Sequence, residues 1–184
     1  MAPIESPQTD MTGRPPAWRL RAHRAGDIGW VVSRHGALYA EEYGWDLRFE
    51  ALVAHIAAGF IERFDAGREA CWIAESDGGA NLGCVFLVQA RDDTTQTPID
   101  GVAQLRMLIV EPSARGLGLG ARLVSECEHF SRQAGYRKIS LWTHSVLVAA
   151  RAIYRRAGYR RVASAPHHSF GHDLVEETWE LALQ

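Results

Sequence analysis

The run Leu108-Ile109-Val110-Glu111-Pro112-Ser113-Ala114-Arg115-Gly116-Leu117-Gly118-Leu119-Gly120-Ala121 constrains the fold of this chain more than any other stretch. An apolar strand-like segment stops at a proline, three glycines follow at alternate positions, and an amphipathic helix begins. That helix sets Leu119, Leu123, Cys127, Phe130 and Ala134 on one face. A strand, a glycine turn and a helix start leave bare backbone N–H groups pointing outward, backed by about half a positive charge from the helix dipole. Such a cradle suits phosphate, and Arg115 can add a charge-assisted contact. A glycine-rich turn with no ligand is the plain alternative. A Walker loop would need Gly-Lys-Ser/Thr, whereas Gly120 is followed by Ala121-Arg122. Gly116-x-Gly118-x-x-Ala121 satisfies a dinucleotide fingerprint. The next strand, however, ends Leu141-Trp142-Thr143-His144 and offers no carboxylate for a ribose.

The periodicities on either side of this run predict the remaining elements. Strands are expected at 18–23, 70–76, 82–90, 102–110, 138–143, 159–164 and 177–183. Helices are expected at 28–40, capped by Asp27, and at 49–63, 119–133 and 147–157. Asp77-Gly78-Gly79 turns one hairpin, and the polar stretch 91–101 reads as a long, flexible hairpin connection. Hairpins in the middle followed by helical crossovers give a mixed sheet, hence an α+β (mixed α/β) fold with helices on both faces. Residues 1–17 hold four of the seven prolines and little that is large and apolar. They read as a disordered tail before a single domain spanning 18–184.

Composition removes several function classes. With 184 residues, 47% hydrophobic content and a formal net charge of −2, the chain is an ordinary globular domain. Nothing in that balance suggests a nucleic-acid partner or an anionic membrane surface. Lys138 is the one lysine, so the basic residues are almost all arginine. Cys71, Cys84 and Cys127 are widely spaced and form no C-x-x-C, which argues against a disulfide framework or a cysteine zinc site. No apolar run is long enough for a membrane span and no export signal is visible, so a reducing cytoplasm is expected.

The glycine run is joined by a second motif, Ala152-Ile153-Tyr154-Arg155-Arg156-Ala157-Gly158-Tyr159, one strand and one helix further on. Together, Arg115-x-x-Gly118-x-Gly120 and Tyr154-x-x-x-Gly158-Tyr159 resemble the signature of the GNAT superfamily of acyl-CoA-dependent N-acyltransferases, over about residues 18–183. Segments 34–45 and 167–175 also look like the acetyltransferase half of bacterial MarR–GNAT fusion proteins; the DNA-binding half of those is not expected here. The resemblance implies a GNAT-like sheet of six to seven strands, with a splay between strands four and five. It implies acetyl-CoA as co-substrate, no metal, and a small-molecule or protein amine as acceptor. It implies further that backbone groups of Leu108, Ile109 and Val110 receive the pantetheine arm, and that the pyrophosphate rests on N–H groups of Arg115, Gly116, Leu117, Gly118, Leu119 and Gly120. Tyr154 becomes the general acid that protonates the departing thiolate. A buried core tyrosine is its plain alternative.

Two positions depart from the pattern. Leu147 stands where family members often carry Asn, seven residues before the tyrosine. Strand four offers Gln104 and Arg106 rather than a glutamate base. A base matters, because an amine of pKa about 10.4 is neutral about once in 2,500 at pH 7, a cost of roughly 4.6 kcal/mol. Glu41, Glu42 or a water chain are candidates, against a solvated helix face. Tyr43 and Trp45 can wall the acceptor site or simply pack. His168 is expected in a loop that lines the acceptor pocket, with a plain polar loop as the alternative. Its spacing from His172 and the intervening Ser169 and Gly171 make a metal site a poor reading. Residue types of a Ser-His-Asp triad crowd the same loop, but no G-x-S-x-G elbow exists. The expected activity is N-acetyl transfer. The alternative is a non-catalytic acyl-CoA-binding or sensor module, and a homodimer is compatible with either.

Overall fold

The structure, a computed structural model, describes residues 18–183. The expected N-terminal tail lies outside the described residues. In chain order the elements are β1 (Trp18–Ala22), α1 (Asp27–Tyr43), α2 (Leu47–Arg63), β2 (Ala70–Ser76), β3 (Asn81–Arg91), β4 (Pro98–Val110), α3 (Leu119–Gln133), β5 (Lys138–His144), α4 (Val148–Arg156), β6 (Arg160–Ser169) and β7 (His172–Ala182). Among the described residues seven strands form one sheet, in the order β1-β2-β3-β4-β5-β7-β6. Every neighbouring pair is antiparallel except β4 and β5. The mixed α+β class is therefore as expected.

The sheet buries both faces. Ala103 and Leu105 of β4, Leu119, Leu123 and Cys127 of α3, and Ile139 and Leu141 of β5 form the core on one side, with Tyr154 and Tyr159. Val31 and Leu38 of α1 and Phe60 of α2 cover Ile73, Phe86 and Ile109 on the other. An adjoining cluster of Trp45, Phe49, Val53, Phe170 and Leu174 ties the last hairpin to the first two helices. Leu123 is fully buried, and truncating such a residue to Ala typically costs about 2–5 kcal/mol.

Three local expectations are corrected. Asp27 is the first residue of α1 rather than its cap; Gly26, at φ 97°, holds the cap position. The Asp27 carboxylate turns back instead, accepting from the Arg24 N–H (2.8 Å) and from Arg21 (2.6 and 2.9 Å). The stretch 91–101 is not a long loop. β3 and β4 extend into it, and the remaining turn is organised by the Asp92 carboxylate, which accepts from the N–H groups of Thr94 and Thr95. The segment 165–176 is likewise a hairpin and not a loop. Phe170 and Gly171, both at positive φ, make its tight turn, so β6 and β7 run several residues further than apolar alternation suggests.

The functionally decisive feature is where β4 and β5 part. Their pairing is confined to Val102–Leu105 against Lys138–Leu141, yet β4 continues to Val110 and β5 to His144. At the same level β4 is bulged: Met107 adopts φ 57°, and the β3 register shifts between Phe86–Arg106 and Cys84–Ile109. A bulge moves every later side chain to the opposite face. Ala103 and Leu105 pack toward α3 before it, and Leu108 and Val110 do so after it.

Candidate active site

Three cavities adjoin one another, the first two at the splay and the third beneath α2 on the β3–β4 side. The largest, about 510 Å³, lies between α1, the end of β4, the glycine turn and α4. It meets a second, of about 100 Å³, at Tyr39, Leu108, Leu147 and Ala150. The second meets a third, of about 220 Å³, at Leu52, Ile56, Gln104 and Arg106.

At the mouth of the large cavity lies the glycine turn from which an anion cradle is expected. The Arg115 N–H is already bonded to the Pro112 carbonyl (3.3 Å), whereas the N–H groups of Gly116 through Ala121 find no acceptor among the described residues. The cradle thus starts one residue later than expected and ends one later. Gly116 and Gly118 lie at φ 81° and 75°, and a Cβ on either would meet nothing within 4 Å, so their requirement is conformational. Gly120 answers to a different need: a Cβ there would sit 2.7 Å from Ile153 Cδ1 of α4. The Arg115 side chain donates to Glu42 (2.6 Å) and to the Val110 carbonyl (3.3 Å). Leu117 is exposed at the tip of the turn.

Tyr154, on α4, lines the middle cavity and is 5% exposed. Burial pushes its pKa well above the ordinary phenol value, with Tyr39 and Cys127 adding to the shift, so the phenol keeps its proton at neutral pH. It also packs in the α3-side core, beside Tyr159 at 5.8 Å. Tyr39 stands at the junction of the large and middle cavities, and burial raises its pKa as well.

Of the other expected acceptor-side residues, Trp45, Gln104 and Arg106 line the middle cavity, and Tyr43 and Glu42 line the large one. Glu41 is exposed on α1 and lines none of the three. His168 is corrected in the same way. It is exposed on β6 and pairs with Asp173 (2.7 Å), outside all three cavities. The reason is the hairpin: strand alternation brings its neighbour His167 inward instead.

That alternation exposes a group the sequence did not single out. His144 ends β5, three residues beyond Leu141, the last β5 residue paired with β4. His144 is 2% exposed, lines the middle cavity with Tyr154, and its Nε2 lies 3.2 Å from His167 Nε2. His167 Nδ1 in turn lies 3.0 Å from Ser169 Oγ. Burial, then the neighbouring His167, pulls the His144 pKa down to about 4, so the ring is neutral at pH 7. Its position at a strand end following Leu141-Trp142-Thr143 was the available signal.

These features define a sheet opened at a parallel pair, with an anion cradle at one end of the opening and a walled pocket at the other. The chain belongs to the acetyltransferase (GNAT) family, whose sequence model matches residues 30–159. A protein named N-acetyltransferase C1271.07c from Schizosaccharomyces pombe is 27% identical over 130 residues, covering 71% of this chain and 75% of that one. A mycothiol acetyltransferase of Sanguibacter keddieii is 30% identical over 148 residues, covering 79% of this chain but 44% of that enzyme. Among solved structures, yncA from Salmonella typhimurium, determined with its cofactor acetyl-CoA, superposes with a TM-score of 0.70 at 17% identity. The match covers 91% of this chain and 94% of that one. An N-acetyltransferase from Staphylococcus aureus Mu50 reaches a TM-score of 0.73 at 15% identity, covering 91% and 99%. At these identities the structures speak for the fold.

Proposed function

We propose that this chain moves an acetyl group from acetyl-CoA to an amine by direct attack at the β4–β5 splay. The observation that carries the reading is the pair of adjoining cavities at the splay, with six N–H groups unpaired among the described residues at the mouth of one and Tyr154 in the wall of the other. The N–H groups of residues 116–121 and the α3 dipole suit a pyrophosphate. The freed edge of β4 at Leu108, Ile109 and Val110 offers backbone partners to an amide-bearing arm. The acceptor amine enters from the opposite side, past Trp45, Gln104 and Arg106.

In this reading the amine nitrogen bonds to the acetyl carbon as the carbon–sulfur bond breaks. Tyr154 Oη gives its proton to the leaving sulfur, and the nitrogen loses a proton toward His144. We assign that second role to His144 because Glu42 is held by Arg115 and Glu41 lies outside the cavities. Burial keeps the imidazole neutral, so it presents a lone pair to the amine. His167 and Ser169 continue a hydrogen-bonded path toward the surface. The finer kinship with the transferase half of MarR–GNAT fusions belongs to the same reading. A cytoplasmic location is supported by three free, buried cysteines. No helix among the described residues is long and apolar enough to cross a membrane.

Thiol release from acetyl-CoA across an amine panel tests the activity. Tyr154→Phe keeps the ring and its packing, so it should lower kcat by about 100-fold, within the usual range for general acid catalysis, and leave the Michaelis constant for acetyl-CoA unchanged. A Phe variant with wild-type turnover across pH would reduce Tyr154 to a packing residue. Binding of acetyl-CoA without turnover on any amine would favour the binding-only module.

A further inference from the structure

Among the described residues, every half-buried arginine but one has a partner. Among those that are half-buried, Arg21, Arg34, Arg122 and Arg151 each clasp a carboxylate. Arg68 and Arg91 each donate to a backbone carbonyl. Arg106 is the exception: among the described residues its guanidinium has no hydrogen bond, no ion pair and no ring beneath it. It stands in the wall shared by the middle and far cavities, beside Gln104 and between the α2 side chains Leu52 and Ile56. Desolvation lowers its pKa, Asp93 opposes that and Arg63 adds to it, yet a guanidinium remains charged at any working pH. A half-buried cation without a partner is costly, and an anion from outside would offset that cost.

The far cavity has the matching charge. Arg63, Arg91 and Arg106 line it against two carboxylates, Glu69 and Asp93. Glu69 is buried; its Oε1 accepts from the Gln89 N–H and its Oε2 has no partner among the described residues, so three cations face two carboxylates. Asp93 is exposed in the β3–β4 turn. Resting on the acetyl-transfer reading, we propose that Arg106 binds an anionic group of the acceptor, a carboxylate or a phosphate, so that the acceptors are anionic amines and not polyamines.

The spacing narrows the class further. Tyr154 lines the middle cavity and the glycine turn the large one, whereas Arg106 stands in the wall between the middle and far cavities. An amine that reaches Tyr154 while its anion meets Arg106 needs several bonds between nitrogen and anion. That selects ω-amino acids and aminoalkyl phosphates over the α-carboxylate of a free amino acid.

The test uses matched pairs: 6-aminohexanoate against 6-aminohexanamide, and 3-aminopropyl phosphate against 3-aminopropanol. Thiol release gives kcat/KM for each with wild type, Arg106→Gln and Arg106→Ala. The wild type should favour the anionic member of a pair by about 10- to 100-fold, as one charged hydrogen-bonded contact supplies, and both substitutions should bring the ratio close to one. Preference within the carboxylate pair or within the phosphate pair identifies which anion is read. Equal use of both members by the wild type, or a ratio that survives both substitutions, overturns the proposal. Binding of the product 6-acetamidohexanoate, followed by ligand-observed NMR, reads the same contact without turnover and should weaken at least tenfold in folded Arg106→Gln. Failure of the wild type to bind acetyl-CoA in calorimetry would instead strike the acetyl-transfer reading, and the NMR arm would still decide the role of Arg106.

Discussion

Glu75 shows how single residues set the pH response of this fold. Its side chain is 3% exposed on β2, and it receives Arg19 (2.8 Å), Arg21 (2.9 Å) and Arg24 (2.7 Å). Hydrogen bonds from Arg19 and then Arg21 hold its carboxyl down at about pKa 2, against an ordinary value of 4.5. Because the folded-state pKa is the lower one, the stabilisation is fully present above pH 4.5 and is lost as pH falls toward 2. Urea melts should therefore find Glu75→Gln less stable than wild type at pH 7, with the difference closing across that window. A difference independent of pH would mean that the arginines act by packing alone. His35 and His144 push the same way at milder pH. Burial lowers each to about pKa 4, so the unfolded chain binds protons first and stability declines as pH falls below about 6.5. None of these shifts can be read from residue identity, since each depends on burial or on partners that only the folded chain brings alongside.

At the scale of elements, the glycine turn and α3 divide their labour in a way that mutation can separate. Gly118 occupies the left-handed region, where a side chain costs about 1–2 kcal/mol, while open space surrounds its Cβ position. Gly118→Val should therefore fold, yet distort the turn enough to abolish acetyl-CoA binding in calorimetry. Unchanged affinity in the folded variant would remove the cradle assignment. Gly120 has a helical backbone but faces Ile153 of α4. Gly120→Val should act on the α3–α4 contact, with an overpacking cost of about 1–3 kcal/mol in denaturant melts. The sequence marked α3 to the residue because its apolar face, its glycine entry and its Gly135 exit are all local signals. It shortened β6 and β7 because Arg160–Ser169 is almost wholly exposed and lacks an apolar alternation.

Across the whole molecule, the site exists because one parallel pair sits inside an otherwise antiparallel sheet. Four residue pairs join β4 to β5 before they diverge, and each strand is held on its far side by a long antiparallel partner, β3 or β7. The opening is thus braced and needs no unfolding to admit a ligand. A ligand that binds the folded state alone adds about 2.7 kcal/mol at 100 times its Kd. For a domain of this size that corresponds to a Tm rise of roughly 5–10 °C. Acetyl-CoA should produce that rise with wild type and not with Gly118→Val. A wild-type Tm that stays put at saturating acetyl-CoA would place any binding elsewhere.

The sequence by itself determined what local pattern can encode. It supplied the mixed fold class, the glycine turn at the mouth of α3, the tyrosine on the helix after β5, and Gln104 and Arg106 in place of a glutamate base on β4. Tertiary structure decided which groups meet. The bulge at Met107 reverses the faces of β4, the splay brings His144 and Tyr154 into one cavity, and the last hairpin turns His167 in and leaves His168 out. It also decided that Arg115 is held by Glu42 while Arg106 is left without a partner. Strand register and side-chain pairing are settled between residues far apart in the chain, and a shift of one residue changes which face a side chain occupies.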